Sequence, residues 1–199
     1  MSVWAIVPVK PLASAKSRLA GRLDAAGREQ LSRDLLGRTL RLLAAVDTVA
    51  ETIVVSPDPA VLTQAVEGKA LPLPEAPPGG LNGALAQAAA VARGAGAGAI
   101  VVVPIDLPLA RPADVLSAVA LVAAAAAPAV VAAPDRHGRG TNLLALRPPD
   151  VIPFCFGTDS LARHRAAALT GGIAWHTLAN ARLALDVDEP ADLALVGLA

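Results

Sequence analysis

A single carboxylate stands at the end of the most apolar run of the chain. The segment Val101-Val102-Val103-Pro104-Ile105-Asp106-Leu107-Pro108 reads as a covered strand that delivers Asp106 to its carboxyl end, and Pro104 and Pro108 stiffen the loop. Cations crowd a second segment. Lys10, Lys16, Arg18 and Arg22 lie in "VKPLASAKSRLAGRL", directly after the apolar run Val3 to Val9. Cations there, together with backbone amides at a helix start, can hold phosphate oxygens. A carboxylate beside a phosphate repels it, since two unit charges about 4 Å apart interact by roughly 4 kcal/mol at a surface-like dielectric. A divalent cation between them reverses that sign. Mg²⁺ usually takes one or two protein carboxylates and leaves its other positions to phosphate and water. "LDVDEPADL" offers the second carboxylate. Asp186 and Asp188 alternate along an extended chain, face one side, and either can partner Asp106. Each feature also has a plainer reading: a solvated basic loop, Asp106 as a turn cap, Asp188 as the N-cap of the last helix.

Other chemistries find little support. The first loop is not a phosphate loop of the GxxxxGK[ST] kind, and no GxGxxG follows the first strand. "GAGAG", Gly94 to Gly98, precedes a strand and ends a helix, so it is not a dinucleotide site. The lone Cys155 can form neither an intrachain disulfide nor a Cys-based zinc site; between Phe154 and Phe156 it reads as a small buried hydrophobe. His137, His164 and His176 lack metal-ligand spacing.

These residues need elements to position them. Val3 to Val9 is a strand. Asp24 caps a helix carrying Leu31, Leu35, Leu42 and Val46 at helical spacing. Thr52 to Val55 is a second strand, followed by a short helix and a brief strand near Ala70 to Leu73. "EAPPGG", Glu75 to Gly80, is a loop before a helix over Leu81 to Arg93. Ala99 to Pro104 is the strand that ends near Asp106. Pro112 starts another helix, Ala129 to Ala133 and Asn142 to Leu146 are strands, and "PDRHGRG" between them is a polar loop. Thr158 or Asp159 caps a helix through Leu169. Short strands near Ile173 and Leu183 lead to a last helix after Asp188. Alternating strands and helices give an α/β fold with a mostly parallel sheet. Ligands of such sheets bind beyond the carboxyl ends of the strands, here after Val9, after Gly79, at Asp106 and after Ala133.

The 199 residues are 54% hydrophobic but 2% aromatic, so the core is built from Val, Leu, Ala and Ile. Seventeen Lys+Arg balance seventeen Asp+Glu, which argues against broad binding to nucleic acid or anionic lipid and leaves an anion site as a local cluster. Val115 to Ala133 carries no charge, but Pro128 divides it into helix, turn and strand, so no membrane span is expected. The N-terminus lacks a signal-peptide pattern, and a cytoplasmic location follows. Oligomeric state is not readable.

"WAIVPVKPLASAKSRLAGRL", "GGLNGALAQA", "VPIDLPL", "RGTNLLAL", "FGTDSLARH" and "LDVDEPADL", in this order over nearly the whole chain, resemble the 2-phospho-L-lactate guanylyltransferase family. Its bacterial members are better described as phosphoenolpyruvate guanylyltransferases, which make the guanylylated precursor of the deazaflavin coenzyme F-420. The resemblance implies a single nucleotidyltransferase domain over residues 1–199, similar to glycosyltransferase type A enzymes. A GTP-binding part covers about 1–110 and an acceptor-binding part about 111–199. By the same resemblance Lys10, Lys16 and Arg18 follow the triphosphate, and Gly80, Leu81 and Asn82 lie near guanine and ribose. Asp106 holds Mg²⁺ with Asp188 or Asp186. Thr141, Gly157 and Ser160 receive the phosphorylated carboxylic acid; Asn142, Asp159, Arg163 and His164 lie close in sequence, with roles the resemblance leaves open. Hydroxyls and glycine amides suit phosphate oxygens, and "GTDS" at a helix start aims N–H groups at an anion. The attacking phosphate is already ionised, so positioning and charge neutralisation by Lys16, Arg18 and the Mg²⁺ that Asp106 holds carry the reaction without a general base. Three alternatives stand beside this reading. One is a nucleotidyltransferase of the same fold for another acceptor, such as 3-phosphoglycerate or a molybdopterin-type phosphate. Another is a nucleotide-sugar glycosyltransferase, weakened because Pro104-Ile105-Asp106 lacks the first aspartate of D-x-D. The last is a catalytically dead nucleotide-binding protein.

Overall fold

A computed structural model of the chain describes residues 1–195. Seven strands form one sheet: β1 (Val3–Pro8), β2 (Val49–Ser56), β3 (Leu71–Pro74), β4 (Ala99–Val102), β5 (Ala129–Pro134), β6 (Thr141–Arg147) and β7 (Ala174–Thr177). Their order is β3-β2-β1-β4-β6-β5-β7. The helices are α1 (Ala25–Ala44), α2 (Pro59–Glu67), α3 (Leu81–Gly94), α4 (Pro112–Ala124), α5 (Ser160–Thr170) and α6 (Pro190–Leu195). The α/β class and the mostly parallel sheet agree with the sequence.

Helices cover both faces of the sheet, which is why β1 and β4 are continuously apolar. On one face Val7, Val54, Val101 and Val131 pack under α1 and α4 through Leu36, Leu43, Val115 and Val122. On the other, Ile6, Ile53, Ile100 and Val130 meet Leu85, Ala88 and Ala92 of α3 and Ala168 of α5. The alanines let α3 lie close to the sheet. Asp24 caps α1 as expected: its Oδ1 accepts from the Gly27 amide at 2.7 Å, a cap contributing about 1 kcal/mol.

One strand reverses. β6 pairs antiparallel with both β4 and β5, while the other pairings are parallel. The segment "PDRHGRG" is therefore a hairpin connection, tightened by Asp135, whose Oδ1 accepts from the amides of Arg139 at 2.8 Å and His137 at 3.1 Å. Reversal also puts the first residues of β6, Thr141 and Asn142, at the same rim as the carboxyl ends of the other strands.

No strand forms near Leu183. The Asn180 side chain accepts from the amides of Arg182 at 2.9 Å and Leu183 at 3.1 Å, so those groups are satisfied within a turn and are not offered to a ladder. This segment is fastened at other points. Asn180 donates to Asp114 at 2.7 Å, Arg182 donates to the same carboxylate at 2.8 Å, and Asn142 donates to the Leu183 carbonyl at 2.9 Å. The Arg182 hydrogen bond, with those from Asn180 and the Arg111 amide and against the cost of burial, holds Asp114 down at a pKa of about 2. Among the described residues no helix is long and apolar enough to cross a membrane.

Candidate active site at the carboxyl rim of the sheet

A cavity of about 430 Å³ opens at the rim where β1 and β4 end. Its lining comes from the end of β1 and the first loop, the start of α3, the 104–107 loop, the start of β6, and residues 186 and 188. Three of the four loops expected at the ligand side contribute. The loop after Ala133 does not, because it is taken up in the β5–β6 hairpin; Thr141 and Asn142 stand in its place.

The cations and acids meet here. Lys16 adopts left-handed backbone geometry with φ of 56° and a side chain only 4% exposed. A non-glycine residue in that region is held there by its surroundings. Its ammonium pairs with Asp106, lies 3.5 Å from Asp188 Oδ1 and donates to the Val187 carbonyl at 2.5 Å. Arg18, largely exposed, reaches Asp188 at 3.7 Å. The Val187 amide donates to the Asp106 carbonyl at 3.0 Å, which fixes the 186–188 segment beside the 104–108 loop. Val187 is buried while Asp186 and Asp188 remain half-exposed, as alternation predicts. Asp188 does not cap α6. Asp192, in the first turn of α6, instead reaches back to accept from the Asp188 and Glu189 amides at 3.0 and 2.8 Å, and the Asp188 carboxylate is left to the cavity.

Loss of water raises the pKa of Asp106, and Lys16 opposes that rise. Desolvation likewise raises Asp186, with Asp188 adding to the effect. Three acids thus share one poorly hydrated corner, with Lys16 as its buried counter-charge. Among the described residues no three His, Cys, Asp or Glu side chains are placed to cage a metal ion. What exists is a pair of carboxylates and a carbonyl converging on one cationic nitrogen. Such an all-oxygen donor set suits a hard divalent ion that completes its coordination with phosphate and water. Asp106 with Asp188, and Asp186 beside them, are the residues that can hold it.

At the start of α3, Gly79 and Gly80 have φ of 76° and 92°, a conformation that β-carbons resist. Glu75 locks this turn by accepting from the Gly80 amide. Gly80 and Leu81 line the cavity. Asn82 does not: its amide donates to the Phe156 carbonyl at 3.1 Å and its oxygen accepts from the Phe156 amide at 2.8 Å. It acts as a clip between α3 and the loop before α5.

Of the expected acceptor residues, Thr141 lines the cavity, and Ser160 lies behind it, 2% exposed. Ser160 Oγ accepts from the Thr141 amide at 2.9 Å. Gly157, at φ of 117°, sits in the exposed loop between β6 and α5, outside the lining. Asp159 occupies the N-cap position of α5 in left-handed geometry and makes no capping hydrogen bond. The sequence reading missed Phe156 as a lining residue and Asp58 as an anchor. Asp58 accepts from the amides of Ala60 and Leu12, each at 2.9 Å, and so ties the first loop to α2. "SPDP" at a strand end was the available signal. Cys155 is half-buried, not buried, because its backbone, held by His164, keeps it in the loop.

Residues 3–198 match the family described as guanylyl transferase CofC like. A phosphoenolpyruvate guanylyltransferase of Rubrobacter xylanophilus is 44% identical over 194 residues, covering 98% of this chain and 93% of that protein. Among solved structures, a candidate nucleotide-diphospho-sugar transferase from Desulfovibrio desulfuricans superimposes with a TM-score of 0.79 at 19% identity, covering 98% of this chain and 87% of that one. A CMP:2-keto-3-deoxy-manno-octonic acid synthetase complexed with CTP gives 0.68 at 17% identity, over 98% and 97% of the two chains. These two similarities define the fold.

Proposed function

The chain belongs to the CofC-like guanylyl transferases, and from that premise we propose that it joins GMP from GTP to phosphoenolpyruvate and releases pyrophosphate. This is the guanylylation step of coenzyme F-420 formation that the motifs imply. One observation carries the residue assignment: a cation–carboxylate cluster, Lys16 with Asp106 and Asp188, and a hydroxyl-bearing strand end, Thr141, open into the same cavity.

In this reading residues of about 1–110 bind GTP and those of about 111–199 bind the acceptor, within one domain. Asp186 and Asp188 reach back from the second part to Asp106. Lys10, Lys16 and Arg18 neutralise the triphosphate. Gly80 and Leu81 bound the guanosine end, and Asn82 serves it indirectly by fixing Phe156. Thr141 contacts the acid, supported by Ser160, with Gly157 in the loop above. A phosphate oxygen of the acid forms a bond to the α-phosphorus of GTP as the bond to the bridging oxygen of pyrophosphate breaks. No proton moves, because the attacking oxygen is ionised. Asp106 with Asp188 or Asp186 would hold a divalent cation, Mg²⁺ in this reading, which would supply charge neutralisation for the phosphates. The protein's own contribution is alignment and a fixed positive charge at Lys16. Near-zero net charge and the lack of a membrane-spanning helix among the described residues are consistent with a cytoplasmic enzyme acting on small molecules.

The test is pyrophosphate release from GTP or ATP with Mg²⁺ and, separately, phosphoenolpyruvate, phospholactate and 3-phosphoglycerate. The expected result is turnover with GTP and phosphoenolpyruvate. Absence of release with every acid overturns the proposal.

A further inference from the structure

We propose that His164 is a positioning residue that presents the Thr141 hydroxyl hydrogen to an anionic group of the acceptor, a phosphate or carboxylate oxygen. This rests on the reading of Thr141 as an acceptor contact. One backbone group beside the ring has no choice of role. The Cys155 amide donates to His164 Nε2 at 2.9 Å, so Nε2 presents a lone pair. A neutral imidazole then carries its proton on Nδ1. The His164 ring is fully buried, and burial, with Arg163 adding to it, lowers its pKa to about 4, so it is neutral at neutral pH.

Nδ1 lies 3.1 Å from Thr141 Oγ1, and with its proton there it donates to that oxygen. A second donor arrives from Ser160. Its oxygen already accepts from the Thr141 amide, and its hydroxyl donates to Thr141 Oγ1 at 3.3 Å. Two incoming hydrogen bonds use the accepting capacity of that oxygen. The hydrogen of Thr141 itself has no protein acceptor among the hydrogen bonds of the described residues, and Thr141 lines the cavity. The opposite tautomer would set two donors against each other at Cys155. It would also draw the Thr141 hydrogen back toward Nδ1. The ring cannot swing out of this arrangement. Phe156 packs edge-on against it with centroids 4.9 Å apart, and Asn82 clamps the backbone of Phe156.

The tautomer is read directly on the full-length protein by ¹⁵N NMR of the histidine rings, with the Nδ1–H form expected. Kinetics supplies the second reading. His164→Phe removes both ring contacts and raises the KM for phosphoenolpyruvate about tenfold or more, the scale of a hydrogen bond to an ionised group, while the KM for GTP holds. His164→Gln, whose amide offers both a donor group and an acceptor, recovers part of that loss. Thr141→Val added to His164→Phe costs nothing more. An Nε2–H ring, additive losses in the double variant, or equal rises in both KM values overturns the proposal. Wild-type protein that turns over no phosphorylated acid removes the functional reading instead, and the ring tautomer then decides the His164 assignment alone.

Discussion

The wall of the cavity that carries Lys16, Asp106 and Asp188 is ionic and stands on irregular backbone, whereas the Thr141 wall is neutral and stands on β6 and α5. The two solve different problems. Coulombic attraction falls slowly with distance and tolerates small errors of angle, so charges on loops serve once their sum is balanced. A hydrogen bond weakens steeply when misaligned, so the neutral wall is fixed by a strand, a helix and the Asn82 clip. The proposed function follows the same division. The ionic wall suits the highly charged triphosphate, and the neutral wall suits discrimination between small acids.

Breaking the ionic wall has the largest expected effect. Lys16→Met removes the buried ammonium that stands between the two acids and leaves Asp106 facing Asp188; turnover falls about a hundredfold, the scale of losing one preorganised charge contact, with the fold retained by circular dichroism. A loss below threefold erases the contrast between the walls.

The neutral wall is sharpened by pH. His164 has a folded pKa of about 4 against an unfolded value of 6.5. The unfolded chain therefore binds more protons between those values. Stability from the neutral ring is complete above about pH 6.5 and declines as pH falls toward 4. The decline amounts to about 3 kcal/mol over the whole interval and about 2 kcal/mol by pH 5. Urea unfolding of wild type and His164→Phe measures it, and the variant is expected to lack that slope. Asp114 acts in a lower window. Its depressed pKa contributes stability above 3.8 that is lost as pH falls toward 2.

The smallest effect belongs to the clip between the walls. Asn82→Ala frees two backbone groups of Phe156 and costs about 1–3 kcal/mol of stability by thermal or urea melts. Its effect on KM is expected for the acceptor before GTP. An effect on GTP alone would return Asn82 to the nucleotide.

The same contrast explains what the sequence disclosed. Apolar runs such as Val3 to Val9 and Ala99 to Pro104 announced buried strands, and unusual charge at their ends announced Lys16 and Asp106, because charge is costly near a core and stands out there. The reversal of β6 was hidden, since an apolar strand covered on both faces has no directional mark. The turn at Asn180 looked like a strand because a side chain replaced the ladder. The motifs pointed to Asn82 and to the neighbourhood of His164 but not to what either side chain does, because one hydrogen-bonding side chain in a helix reads alike whether it faces a ligand, a neighbouring loop or solvent. Their partners, the Cys155 and Phe156 amides, are backbone groups that only the folded chain brings near.

The most direct measurement is pyrophosphate release from GTP and phosphoenolpyruvate by wild type and Asp106→Asn, each with Mg²⁺ and with excess chelator. The account predicts turnover only for wild type with Mg²⁺, and a drop of at least 10²-fold for Asp106→Asn with its fold intact. Equal rates in chelator, or a fully active Asp106→Asn, would contradict it.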